Sequence, residues 1–249
     1  MKLFLIRRLK IIFSYLRLHF FFQFFTGIYM NLVYMTRLSA WIYKNRKVQN
    51  DFPSKWDYKK RYDFYTRVLE AEGLFDVPVN YLEFGVAQGE SMRWFTSKNK
   101  NVGSRFFGFD TFTGLPEDWG PYKKGTFDNN NEVPDIKDPR IKFYQGLFQQ
   151  TVPGFIKVFS NEVEKDSGDR SSGAIRKVIM MDADLYSSTL YVLTSLAPYL
   201  RSGDIIFFDE FAVPTHEFRA YLDFVESYYI DLELIGGANN YYFVAFRVR

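Results

Sequence analysis

Carboxylates at the ends of apolar runs are the residues of this chain best placed to do chemistry. Tyr81-Leu82-Glu83-Phe84-Gly85 continues to Gly89 and Ser91, an E-x-G-x-x-x-G-x-S spacing that reads as a buried strand turning tightly into a helix. Glycine lets backbone approach a ligand with no Cβ in the way, and a helix beginning near Gly89 presents unpaired N–H groups to it. Glu83 lies on the strand itself, which suits a ligand with a cationic amino-acid tail and no pyrophosphate. S-adenosylmethionine is thereby favoured over NAD. Glu83 and Gln88 also stand where two glycines of the dinucleotide pattern G-x-G-x-x-G would be.

Three further apolar runs end the same way. Arg105 to Asp110 reads as the next strand, and its terminal Asp is placed to bond ribose hydroxyls or, in the plainer reading, to cap the turn that Thr113-Gly114-Leu115-Pro116 makes. Lys177 to Asp182 and Asp204 to Asp209-Glu210 repeat the design, delivering acids to the edge where open α/β sheets bind ligands. Such acids can accept a proton from a hydroxyl or, with water, hold a hard divalent cation such as Mg²⁺.

Four blocks then carry a family likeness. Leu82 to Val86, Phe107 to Phe112 with Gly114 to Glu117, Asp182-Ala183-Asp184-Leu185-Tyr186-Ser187-Ser188-Thr189, and Gly203 to Glu210 resemble the macrocin O-methyltransferase family, metal-dependent class I enzymes that use S-adenosylmethionine. The likeness runs from about Tyr62 to Val248, and the Asp182 to Thr189 block is its most specific part. It implies an α/β fold, a doubly wound, mostly parallel seven-stranded sheet with helices on both faces and the last strand antiparallel. It implies a cofactor site of Glu83, Gly85, Gly89, Ser91, Asp110, Thr111, Phe112, Gly146, Phe148 and Asp182. Asp182 would be both general base and Mg²⁺ ligand, with Asp209 and Glu210 completing the cation site; Glu210 stands where the family usually has a second Asp.

The elements that must position these residues follow from pattern and punctuation. Helices are expected over Tyr58 to Leu74, Ser91 to Lys100, Leu185 to Leu200 and His216 to Tyr229, and a third strand over Ile141 to Gly146, whose following loop, Leu147 to Gln149, would cover the adenine. Asp231 to Ile235 and Tyr242 to Val248 read as a closing antiparallel hairpin. Pro121 to Pro139 is a polar stretch placed to fold over ligands as a lid, and Asn161 to Arg176 reads as a solvated loop. Asp184 precedes a helix and reads as its N-cap, and His216 as a lone exposed histidine.

A chain of 249 residues accommodates one sizeable core. Cysteine is absent, which rules out disulfides and thiolate metal sites and fits a reducing cytoplasm; two histidines are too few for a histidine-built zinc site. The net charge of +3 conceals a division into residues 1–50, a leader with nine Lys or Arg and no acid, and residues 51–249, with 23 basic against 29 acidic groups. The body has no basic stripe, which argues against a nucleic-acid partner. Within the leader, Leu18 to Thr36 is uncharged for 19 residues, yet His19, Gln23, Gly27 and Asn31 recur every fourth position along one helical face. A helical extension that contacts a membrane surface, packs on the domain, joins a homo-oligomer or spans a bilayer are the open readings, with peripheral contact favoured.

The expected activity is methyl transfer from a sulfonium to the hydroxyl of a sugar or other small molecule, a glycoside or a lipid-linked sugar among them. A nucleotide-sugar or nicotinamide enzyme on a similar sheet, and a membrane-associated cofactor-binding protein without turnover, are the alternatives.

Overall fold

Short, nearly all-apolar runs can bury both faces only inside a sheet covered by helices. A computed structural model, which describes residues 2–48, 57–166 and 175–249 and no side chains from 160 to 166, shows this arrangement. Five such runs form parallel strands: β1 (Val79–Phe84), β2 (Arg105–Asp110), β3 (Ile141–Gln145), β4 (Arg176–Met181) and β5 (Ile205–Phe208). The hairpin of β6 (Leu232–Ala238) and β7 (Phe243–Val248) closes the sheet, β7 lying antiparallel to both β5 and β6. The order β3-β2-β1-β4-β5-β7-β6 makes β1 and β4 the point where the winding reverses, the crevice at which such sheets bind ligands.

Register does the positioning. Phe84 pairs with Phe109 and Met181, and Met181 pairs with Phe208, so the parallel strands end level. Backbone bonds of 3.0 Å from Gly85 N–H to Phe109 O, Asp182 N–H to Phe84 O and Asp209 N–H to Met181 O carry the alignment past the strand ends. Gly85, Asp182 and Asp209 therefore share one edge, with Asp110 beside them.

Alternation along the strands feeds two cores. Leu82, Phe84, Phe107 and Phe109 face α6 (Phe148–Asp166), α7 (Tyr186–Leu196) and α8 (Glu217–Tyr228), whereas Val79, Tyr81 and Phe106 face α4 (Lys60–Ala71) and α5 (Glu90–Lys98). The leader supplies α1 (Lys2–Tyr15), the short α2 (His19–Phe22), a 3-10 turn (Gln23–Phe25) and α3 (Thr26–Asn45). Its two halves differ: Leu38 joins the first core, and Trp41 packs against it with its ring 4.8 Å from Phe211, 5.4 Å from Tyr241 and 6.2 Å from Phe246.

One expectation needs correction. The expected loop over Asn161 to Arg176 begins inside a helix, because α6 runs to Asp166; Pro153-Gly154 near its start masks the pattern, and residues 167–174 lie outside the described residues. The expected boundary between residues 50 and 51 also lies outside the described residues. The lid stretch has no helix or strand, only bridges between Thr113 and Asp128 and between Trp119 and Tyr122.

Candidate active site

The glycine turn after β1 is built for contact with backbone. Gly85 has φ of +91°, and a Cβ there would fall 1.7 Å from the carbonyl oxygen of Asp182, so no other residue fits. Gly89, at φ +78°, caps α5 from the left-handed region, and Pro134 and Ile136 of the lid stretch lie 3.1 Å from where its Cβ would be. The lid is thus seated on the turn.

Above the turn opens a cavity of about 660 Å³, lined by residues from the ends of β1, β2, β4 and β5, by Tyr58 and Arg61, and by Leu147, Phe148 and Gln149. Of the residues expected to hold cofactor, Glu83, Gly85, Ser91, Asp110, Thr111, Phe148 and Asp182 line it. Gly89 does not line it but starts the helix beneath. Gly146 lines a smaller neighbouring recess with Thr111, and Phe112 is buried against Phe143 with its ring outside the cavity.

Glu83 is 1% exposed and accepts a bond of 2.9 Å from the Tyr81 hydroxyl. Burial pushes its pKa up to about 8, because the charged form loses its hydration. A cationic group entering the cavity would reverse that penalty. Asp110 is engaged differently. Its Oδ2 accepts from Val86 N–H at 2.7 Å and Ala87 N–H at 2.8 Å, and its Oδ1 from Phe112 N–H at 2.7 Å. This carboxylate ties the glycine turn to the end of β2, and Thr111 and the turn that follows hang from the same group.

The other acids form a buried group around the ends of β4 and β5. Burial, with Asp209, Asp184 and Glu217 nearby, holds the Asp182 carboxyl well above the usual range. Burial, with Asp184, Asp182 and Glu217 nearby, pushes the Glu210 carboxyl up to about 12. Glu210 is further held by the Tyr242 hydroxyl at 2.9 Å, and its backbone N–H donates to Glu217 at 3.0 Å. Glu217, fully buried on α8, had no signal in the sequence beyond its place in a helix.

Asp209 is committed elsewhere. It accepts hydrogen bonds from Tyr65, from the Tyr58 hydroxyl at 3.1 Å and from Arg61 at 3.3 Å. Burial opposes the charge on Arg61, but Asp209 together with the neighbouring Tyr58, Tyr65 and Tyr62 more than offsets this and keeps the guanidinium charged. The cation facing Asp209 is thus an arginine from α4. The expected Mg²⁺ site of Asp182, Asp209 and Glu210 is not assembled in this arrangement: among the described residues no three acids or histidines converge as ligands, and Asp209 already accepts from Tyr58, Tyr65 and Arg61. Tyr58 and Arg61 are the cavity residues that sequence reasoning missed; the run of aromatics and bases over residues 58–62 was the available signal.

Two minor readings change. Leu185, not Asp184, is the N-cap of α7, and it makes no side-chain cap bond; Asp184 has φ of +57° and lines the cavity. His216 is half-buried outside the cavity, with Nδ1 accepting from Tyr186 N–H at 3.3 Å, and burial lowers its pKa. That bond needs the neutral ring, so His216 is a structural acceptor between α7 and α8.

Residues 82–211, from β1 to the loop after β5, match the family described as a methyltransferase domain. Among solved structures the chain is similar to CalS11, described as a calicheamicin methyltransferase, at 21% identity over 87% of this chain and 91% of that one, with a TM-score of 0.55. It is also similar to the O-methyltransferase NovP, at 17% identity over 89% of this chain and 98% of that one, with a TM-score of 0.51. At these identities the likeness is one of fold. No curated protein matches.

Proposed function

The chain belongs to the methyltransferase-domain family, and on that premise we propose that it is an S-adenosylmethionine-dependent O-methyltransferase acting on a hydroxyl of a sugar or another small molecule. One observation carries the reading: Glu83 and Asp182, at the level ends of adjacent strands, open into one cavity floored by Gly85. Glu83 would take the ammonium of the amino-acid tail and Asp110 the ribose hydroxyls. Phe148 would lie against the adenine, whose flat apolar faces suit an aromatic wall.

The reaction then follows from the acids. Bound S-adenosylmethionine brings a sulfonium whose methyl carbon is the electrophile. An alcohol is a weak nucleophile at neutral pH, so its proton must leave as the new bond forms. Asp182, once ionised by the arriving cation, accepts that proton; the oxygen–methyl bond forms, the sulfur–methyl bond breaks, and the thioether product is neutral at sulfur. A carboxyl whose pKa is held high is a stronger base than an ordinary one, which suits it to this role. Arg61 and Tyr58 would fix Asp209 behind Asp182 and so hold the base in place.

The acceptor class rests on the resemblance to macrocin O-methyltransferases and is consistent with the description of CalS11 as a calicheamicin methyltransferase. Calorimetry with S-adenosylmethionine, NAD and a nucleotide sugar tests the cofactor: selective binding of the first is expected, and selective NAD binding would overturn the proposal. Peripheral membrane contact through residues 1–50 belongs to the same reading.

A further inference from the structure

The first half of the leader is an unpartnered surface of unusual composition. Every residue of α1 is exposed, and large apolar side chains such as Phe4, Ile12, Phe21, Phe24, Ile28 and Leu32 are between 47% and 78% exposed. Monomeric soluble proteins rarely leave such patches open beyond a few hundred Å². Leu3, Phe4, Leu5 and Ile6 are consecutive, so at about 100° per residue they point around the whole helix. A protein partner covers one face; a surrounding solvent of acyl chains covers all of them.

Charge and hydrogen bonding indicate the same occupant. The only charges on residues 2–37 are basic: Lys2, Arg7, Arg8, Lys10, Arg17 and Arg37. Three polar side chains near or within this segment donate to a backbone carbonyl one turn earlier, Asn31 to Gly27 O at 2.9 Å, Thr36 to Leu32 O at 2.8 Å and Thr26 to Phe22 O at 3.4 Å. Polar groups satisfied within the segment are what hydrocarbon requires.

The shape excludes a straight crossing. No single helix among the described residues is long and apolar enough to span, and the stretches Lys2–Tyr15 and His19–Asn45, which together have the length and composition, are bent by 82°. The bend is a built cap: Arg17 has φ of +50°, Leu18 N–H donates to Phe13 O at 3.1 Å and Arg17 N–H to Ser14 O at 3.2 Å, while Phe13 and Phe22 stack at 5.5 Å across it.

The second half of α3 shows where this surface leaves the domain. Tyr34 and Leu38 are buried, Arg37 pairs with Glu226, and the Arg219 guanidinium sits 5.4 Å from the Tyr34 ring and 3.8 Å from that of Tyr186. Tyr186 adjoins Ser187, which lines the cavity. The cavity rim also carries Phe127, 51% exposed, 5.3 Å from the exposed ring of Tyr122.

We propose that residues 2–33 form a re-entrant anchor that enters one leaflet of a bilayer containing anionic lipid and holds the rim of the cavity, with Tyr122 and Phe127, against the lipid surface. The acceptor that fits this placement is a hydroxylated amphiphile resident in the bilayer, a refinement that rests on the methyl-transfer reading, whereas the anchor does not.

The chain has no cysteine, so Phe24→Cys, Lys123→Cys and Val102→Cys in the full chain each accept one environment-sensitive fluorophore. With vesicles of phosphatidylcholine and phosphatidylglycerol, the label at position 24 should shift to the blue and be quenched by acyl-chain quenchers, the label at 123 by headgroup quenchers only, and the label at 102, at the opposite sheet edge, by neither. Arg7→Gln with Arg8→Gln should weaken vesicle binding about thirtyfold at low salt, and cofactor binding by the same variant should be unchanged. A label at 24 that stays in water overturns the anchor. So does one shielded only by a second copy, seen as a dimer that dissociates on Phe24→Ser, or a residue 2 label reached by impermeant reagent from the far side of the vesicle. Quenching at 102 and not at 123 overturns the placement of the rim. A parent chain that binds vesicles but not S-adenosylmethionine overturns the methyl-transfer reading and leaves the anchor standing.

Discussion

The leader and the strand-end edge of the sheet are opposite solutions to the same problem of unpartnered groups. At the edge, Glu83, Asp209 and Glu217 are charge-bearing side chains taken out of water and Asp182 is half-buried, and the protein holds them with tyrosines, with Arg61 and in surroundings that favour the neutral form of Glu83, Asp182 and Glu217. In the leader, apolar side chains remain in water and the charges stand outside as Lys and Arg. Neither serves the fold: a core of this size would be more stable without buried acids, and exposed phenylalanines add nothing to the stability of a domain while inviting aggregation. The edge stores electrostatic strain that a cationic ligand would relieve; the leader stores exposed area that a lipid surface would cover.

The comparison breaks first at Asp182. Asp182→Asn keeps size and most hydrogen bonding but removes the proton acceptor, and turnover should fall by on the order of 10²–10⁴ while cofactor binding persists. Parental turnover in single-turnover transfer assays would remove Asp182 from the role of base.

The leader should divide between Leu32 and Trp41. Trp41→Ala empties a site among the rings of Phe211, Phe218, Tyr221, Tyr241 and Phe246 and should cost about 3–5 kcal/mol of unfolding free energy in urea titration. Phe24→Ser, at 78% exposure, should change it by no more than about 0.5 kcal/mol. Equal effects would mean that the leader is one structural unit.

Asp110→Ala should weaken S-adenosylmethionine binding by on the order of 1–3 kcal/mol, since three backbone amides lose their acceptor at once. Unchanged affinity in a folded variant would take Asp110 out of the site.

Glu83 sharpens the electrostatic side. Its folded-state pKa of about 8 lies above the ordinary value of 4.5, so the native state holds a proton that the unfolded chain releases between these limits. Its contribution to stability is present below pH 4.5 and is lost as pH rises to about 8. Cofactor affinity should run the other way, rising by up to about tenfold per pH unit toward pH 8 as deprotonation ceases to oppose binding. Glu83→Gln should flatten both profiles, and calorimetry across pH with differential denaturation checks each sign.

The smallest effect concerns divalent cations. Excess chelator should leave cofactor affinity unchanged, because Glu83 and Asp110 do the binding and Asp209 faces Arg61. A shift in affinity would place a cation within the cofactor site, and loss of turnover alone would show that Arg61 leaves Asp209 during the cycle.

Much of the fold was legible because period and punctuation agree where the sheet is fully buried. Arg105–Asp110 begins and ends where its apolar run does, and the closing hairpin is present, although β6 runs on through the expected separator to Ala238 and only residues 239–242 separate its two strands. Helix α6 was not legible, because Pro153-Gly154 interrupts the pattern in its second turn, where proline and glycine ordinarily argue against a helix. Glu83, Gly85 and Asp182 could be picked out because an acid or a glycine at the end of a buried strand has few structural reasons to be there. Arg61 and Tyr58 could not, since a base and an aromatic on an amphipathic helix have many.

What the sequence by itself determined is the parallel sheet, the edge on which its acids emerge and the segregation of basic, apolar residues into the first fifty, because these are properties of period, order and composition. Only the tertiary structure decided what each acid faces. Asp110 ties the turn after β1, Asp209 meets an arginine from a helix 148 positions earlier, and Glu210 takes the hydroxyl of Tyr242 from the closing hairpin. Strand ends fix where a carboxylate is delivered, but its charge state and partners depend on burial and on which distant helix packs over it, and neither is written in local pattern.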